Sequence, residues 1–145
     1  MKTVLFICIH NSARSQMAEA FLNRLGQGEY TAESAGLEPG TLNPYVVEVM
    51  KEIGYDISQN ETKSVFDFYK AGKRYTYVVK VCDAMNGQRC PIFPGALNTL
   101  SWNLEDPSSA SGSHEDKLKR TRQIRDLVLE KVKAFIKDPV SSEQL

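Results

Sequence analysis

The run KTVLFIC at residues 2–8 contains no polar residue after Lys2 and Thr3 and has the length of one strand. Side chains alternate across a strand, so an unbroken apolar run must be covered on both faces, as in a parallel sheet flanked by helices. A helical stripe follows six residues later, with Met17, Ala18, Phe21, Leu22 and Leu25 at intervals of one, three and four, and Gly26 as a stop. YTAESAG (30–36) reads as a second, less apolar strand. Asn43 and Pro44 form a cap and first helical position, opening a helix with Val46, Val47, Met50 and Ile53 inside and Gly54 as its end. A weak short helix at 64–72 leads to the β-branched and aromatic run YTYVVKVC (75–82), and a fourth strand falls at 97–102. The last helix, from about 115 to 137, places Leu118, Thr121, Ile124, Val128, Val132 and Phe135 on one stripe. Its basic residues Lys117, Lys119, Arg120, Arg122 and Arg125 are interleaved with acids and read as a solvated face. The alternation predicts an α/β fold: a four-stranded parallel sheet with helices on both faces and right-handed crossovers. Residues 1–138 are expected to form a single domain, with 139–145 as a flexible C-terminal tail.

Composition narrows the function classes. With 41% hydrophobic and 25% charged residues among 145, the chain is an ordinary globular domain long enough to bury a core. A formal net charge of zero argues against nucleic acid or a membrane surface as partner. The apolar run Val4–Ile9 is too short for a signal-peptide core, and no segment approaches the length of a transmembrane helix. The expectation is a cytoplasmic protein, where cysteines are more often catalytic, redox-active or metal-binding than structural. Zinc wants four ligands at tighter spacing than Cys82 and Cys90 offer, with only His10 and His114 to help, so no metal site is expected.

The predicted layout places the chemistry. Ligands of open parallel sheets bind beyond the carboxyl ends of the strands. Cys8 ends the first strand, Cys82 ends the third, and Asp106 follows the fourth, so three reactive side chains converge on one edge. Between Cys8 and Arg14 lie Ile9, His10, Asn11, Ser12 and Ala13, a loop short enough to turn its N–H groups inward as an anion cradle beside a helix start. Arg14 adds a forked guanidinium for a tetrahedral oxyanion, and Ser15 a hydroxyl for the sulfur. A thiol in such a field ionises readily. His10 is expected to point to solvent, and Asn11 to stabilise the loop.

CIHNSARS resembles the Cys-x5-Arg-Ser loop of the low-molecular-weight protein tyrosine phosphatase fold. With QMAEAF after it, ESAG at 33–36, NPYVVEVMKEIGYDIS at 43–58 and Asp106-Pro107, the chain from about Thr3 to Ile136 is similar to the thioredoxin-coupled arsenate reductases on that fold. The resemblance implies Cys8 as nucleophile, Arg14 and Ser15 as partners of oxyanion and thiolate, Asp106 as the acid for the leaving oxygen, and Cys82 and Cys90 as redox cysteines. It implies arsenate as substrate, phosphate as its analogue, thioredoxin as electron donor and no tightly bound cofactor. In relatives a potassium ion is held near positions matching Asn11, Glu19 and Ser34; the further acid expected near 62–64 is replaced by Lys63 and Ser64, which counts against the cation. Seven residues separate Cys82 from Cys90, where relatives commonly hold six.

Two alternatives remain: a tyrosine phosphatase, and a non-catalytic oxyanion-binding regulator. Phosphatases of this fold typically carry aromatic residues after Asp-Pro, where this chain has Ser108 and Ser109, and they need no further thiols. Arsenate reduction needs two electrons, which thiols supply, so reduction is the favoured reading. In a continuous helix Cys82 and Cys90 would lie ~12 Å apart, beyond disulfide reach, so 82–90 is expected to loop, move and change with redox state.

Overall fold

A computed structural model describes residues 1–83 and 93–144. Four strands, β1 (Lys2–Cys8), β2 (Tyr30–Gly36), β3 (Tyr75–Cys82) and β4 (Ala96–Asn103), form one parallel sheet in the order β2-β1-β3-β4. The register sets Cys8 against Gly36, Ile7 against Lys80 and Cys82 against Asn103, so the strands leave the sheet along a single edge.

The two faces of β1 explain its uninterrupted apolar run. Val4, Phe6 and Cys8 enter a core shared with α1 (Arg14–Leu25), α2 (Pro44–Lys51) and α4 (His114–Lys137). Leu5 and Ile7 enter a second, smaller core with Val65 of α3 (Val65–Lys70), Val78 and Phe93. Trp102 lies between Phe6 and Phe135, with ring centroids 5.3 and 6.5 Å away, and ties the sheet to the last helix. The predicted stripe of α4 is buried throughout. No helix among the described residues is long and apolar enough to cross a membrane.

Four expectations need correction. Leu25 and Ile53 are exposed, because α1 ends at Leu25 and α2 already at Lys51. Ile53 falls in the turn completed by Gly54, whose φ of +87° suits glycine. The basic residues of α4 are not all solvated. Arg125 is buried, donating to the Val49 carbonyl and to Glu52, while Arg122 also binds Glu52 and Arg120 binds Glu105. The end of α2 supplies acceptors toward α4, which a one-dimensional charge pattern does not reveal.

The fourth concerns the tail. Residues Pro139–Gln144 form a 3-10 helix packed against α4 and β4. Ser142 is fully buried; its hydroxyl accepts from the Trp102 indole N–H at 2.8 Å and its carbonyl from Lys131 Nζ at 3.2 Å. Buried donors need acceptors, and this polar segment provides them.

Candidate active site

The loop after β1 is held by four carbonyls engaged by the segment that follows β2. Those of Cys8, Ile9, His10 and Ser12 accept from the backbone N–H groups of Leu37, Glu38, Gly40 and Asn43. A trans peptide points its N–H opposite to its C=O, so the following amides turn toward the loop's interior. The Asn11 amide does so: it donates to Cys8 Sγ at 3.1 Å. Asn11 itself has φ +54°, a left-handed conformation that asparagine tolerates. Gly36 lets β2 approach, since a Cβ there would lie 2.8 Å from backbone atoms of Ile9, His10 and Asn11.

Cys8 is a free, buried thiol. Ser15 Oγ lies 2.9 Å from its sulfur and accepts from Asn11 Nδ2 at 2.8 Å. With one lone pair so engaged, the Ser15 hydroxyl is oriented to donate to sulfur. Arg14 opens α1 and is buried, its Nη1 donating to the Leu104 carbonyl at 2.9 Å and its Nη2 3.4 Å from Asp106 Oδ2. Arg14 Nε is buried with no partner, one of two such side-chain atoms among the described residues beside the Tyr75 hydroxyl. An orphaned buried donor costs roughly 1–3 kcal/mol, so it marks a place prepared for an acceptor.

Asp106 is buried and caps the 3-10 helix Pro107–Ser109 by accepting from Ser108 N at 3.0 Å. Asn43 joins this turn to the loop, its N–H bonding the Ser12 carbonyl and its Nδ2 the Ser108 hydroxyl at 3.0 Å. His10 is exposed, with Nδ1 2.9 Å from the Glu38 carbonyl. A carbonyl only accepts, so that nitrogen carries the proton. Cys82 is buried at the end of β3, two residues past the last β1–β3 pair, while Cys8 lies one past it. Cys8, Arg14, Ser15 and Asp106 thus come together, with Cys82 on the adjacent strand. Cys90, and the expected mobile segment from 84 onward, lie outside the described residues.

A polar layer supports the loop from beneath, and sequence reasoning missed most of it. Asn11 Oδ1 accepts from Lys63 N at 2.9 Å and Gln16 Nε2 at 3.1 Å. Gln16 also donates to the Glu61 carbonyl and accepts from Asn60 Nδ2. Glu19 accepts from Ser34 Oγ at 2.7 Å, and burial holds its carboxyl above the ordinary range against the opposing pull of Lys63 and Ser34. Lys63 Nζ lies 3.9 Å from Glu19 Oε1 and donates to the Glu61 carbonyl at 3.1 Å. Gln16 and Asn60 had no role in the sequence reading, and Asn43, rightly read there as a helix cap, gave no sign of its ties to Ser12 and Ser108. No group of three or more His, Cys, Asp and Glu among the described residues is arranged to hold a metal.

Residues 3–144 match the family model of the low molecular weight phosphotyrosine protein phosphatases. The chain belongs to this family. Its relatives there include an arsenate reductase from Oceanobacillus iheyensis, 36% identical over 137 residues, covering 94% of this chain and 96% of that one. A solved arsenate reductase in its phosphate-binding state is 33% identical with a TM-score of 0.77, covering 97% of this chain and all of that one (100%). A thioredoxin-dependent arsenate reductase from Corynebacterium glutamicum is 27% identical with a TM-score of 0.58, covering 92% of this chain and 63% of that one. The α/β sheet of this protein is therefore that of the low molecular weight phosphotyrosine protein phosphatase family, and it is shared with a solved arsenate reductase.

Proposed function

We propose that this protein reduces arsenate to arsenite, with thioredoxin as electron donor, in the cytoplasm. The observation that carries the reading is a free thiol held in an anion cradle, with Cys82 leaving the neighbouring strand at the same edge. The relatives named as arsenate reductases support the substrate, and the thioredoxin-dependent one supports the reductant.

The steps balance on this chain's residues. The Cys8 thiolate attacks arsenic(V), forming an S–As bond, while Asp106 protonates the departing hydroxyl to water. Cys82, disulfide-bonded in this structure and freed when the thioredoxin dithiol reduces it, then attacks Cys8 Sγ as a thiolate. An S–S bond forms, the S–As bond breaks with its electron pair going to arsenic, and arsenite leaves as arsenic(III). Cys90 attacks Cys82 in that disulfide, releasing Cys8 as thiolate, and the thioredoxin dithiol reduces the Cys82–Cys90 disulfide. Amides of residues 9–13 and the Arg14 guanidinium hold the oxyanion throughout. No step requires a tightly bound cofactor.

The test is arsenite production from arsenate with thioredoxin, thioredoxin reductase and NADPH. Wild type is expected to turn over, and Cys8→Ser, Cys82→Ser and Cys90→Ser each to fall at least ~100-fold, the scale on which covalent intermediates are lost. If Cys82→Ser and Cys90→Ser match wild type, the reductase reading gives way to a phosphatase. If wild type binds phosphate but makes no arsenite and hydrolyses no phosphomonoester, the protein is an oxyanion-binding regulator. Hydrolysis of p-nitrophenyl phosphate alone decides nothing, since the loop suits both oxyanions.

A further inference from the structure

We propose that Lys63 is the resident cation of the oxyanion loop, a positioning residue that takes the place of a dissolved monovalent cation and makes the loop independent of potassium. The acceptors beneath the loop are already committed. Asn11 Oδ1 receives two N–H groups, from Lys63 and Gln16, which uses both its lone pairs. Glu19 receives Ser34 Oγ at 2.7 Å, and the Lys63 ammonium lies 3.9 Å away on the same carboxylate oxygen. The Glu61 carbonyl receives both Lys63 Nζ at 3.1 Å and Gln16 Nε2 at 3.0 Å. A potassium ion would compete with these donors and meet the ammonium's like charge, so the residues present do not fit one.

The ammonium does what such an ion would do. Glu19 is largely buried beside the fully buried Ser34, and a carboxylate so buried needs a nearby positive charge. Lys63 supplies it from a side chain whose own backbone grips Asn11, while its carbonyl accepts from Gly36 N at 2.7 Å. Charge and loop are therefore linked through one residue: Lys63 to Asn11, Asn11 to Ser15, and Ser15 to Cys8.

The inference rests on the reading of Cys8 as the reactive thiol, and its test reads Cys8 without arsenate, so it can fail while arsenate reduction stands. The full chain, reduced, is compared in potassium, sodium and choline chloride at equal ionic strength. The readouts are the melting temperature and the rate of Cys8 carbamidomethylation, followed by peptide mass spectrometry. Wild type is expected to shift by less than ~1 °C and less than ~2-fold between salts. Lys63→Met is expected to melt lower in choline and to regain about 3–6 °C in potassium, as for an ion at roughly ten times its Kd. Its Cys8 rate is expected to become salt-dependent by ~3-fold or more, and Lys63→Arg to restore wild-type behaviour. A potassium-specific shift of several degrees in wild type overturns the proposal. So does a Lys63→Met protein that matches wild type in every salt. The wild-type arm stands even if Lys63→Met does not fold.

Discussion

The sulfur of Cys8 is surrounded by groups whose positions depend on one another. Ser15 and the Asn11 amide reach it, Asn11 holds Ser15, and Gly36 lets the neighbouring strand pass behind the loop at van der Waals limit. At this scale the prediction concerns Gly36. An added methyl would sit 2.8 Å from three backbone atoms, which are not free to swing away like a side-chain tip. Gly36→Ala is expected to displace the loop and weaken phosphate binding about 10–100-fold by titration calorimetry, the scale of 1–3 kcal/mol for overpacking. Unchanged phosphate affinity would show that the strand yields instead. The residues Cys8, Arg14, Ser15 and Asp106 were legible because their types and spacing are constrained by chemistry. Gln16 and Asn60 were not, because a buried amide and a surface amide look alike until their partners are known.

Between elements, α2 and α4 share a polar joint. Glu52, just past the end of α2, accepts from Arg122 and Arg125, and Arg125 also holds the Val49 carbonyl. The hydrogen bonds from Arg122, foremost, hold the Glu52 carboxyl below its ordinary range. A carboxylate with a folded-state pKa below its unfolded value stabilises the fold above the unfolded value and loses that contribution as pH falls through the folded one. Glu52→Gln is therefore expected to lower the melting temperature at pH 7, with the difference from wild type shrinking below about pH 4.5 and vanishing in stronger acid. A pH-independent difference would assign the effect to packing. The helices themselves were legible from apolar spacing and caps; the joint was not, since it pairs residues 70 and 73 positions apart.

Across the whole molecule, the carboxyl-terminal segment closes the structure over Trp102. Ser142→Ala is expected to leave the buried indole N–H without its acceptor and to cost about 1–3 kcal/mol in urea unfolding, with an unchanged m-value. A change within error would mean that the indole finds another acceptor. The sequence by itself determined the order of strands and helices and the delivery of Cys8, Cys82 and Asp106 to one sheet edge. It could do so because strand length, helical periodicity and the exit side of parallel strands are local or topological constraints. Only the tertiary structure decided that residues 139–144 pack rather than fray, that Arg125 is buried, and that Lys63 sits beside Glu19 beneath the loop. Each of these depends on a polar group meeting its counterpart across the fold, and the cost of burying such a group alone is not written in its neighbours along the chain.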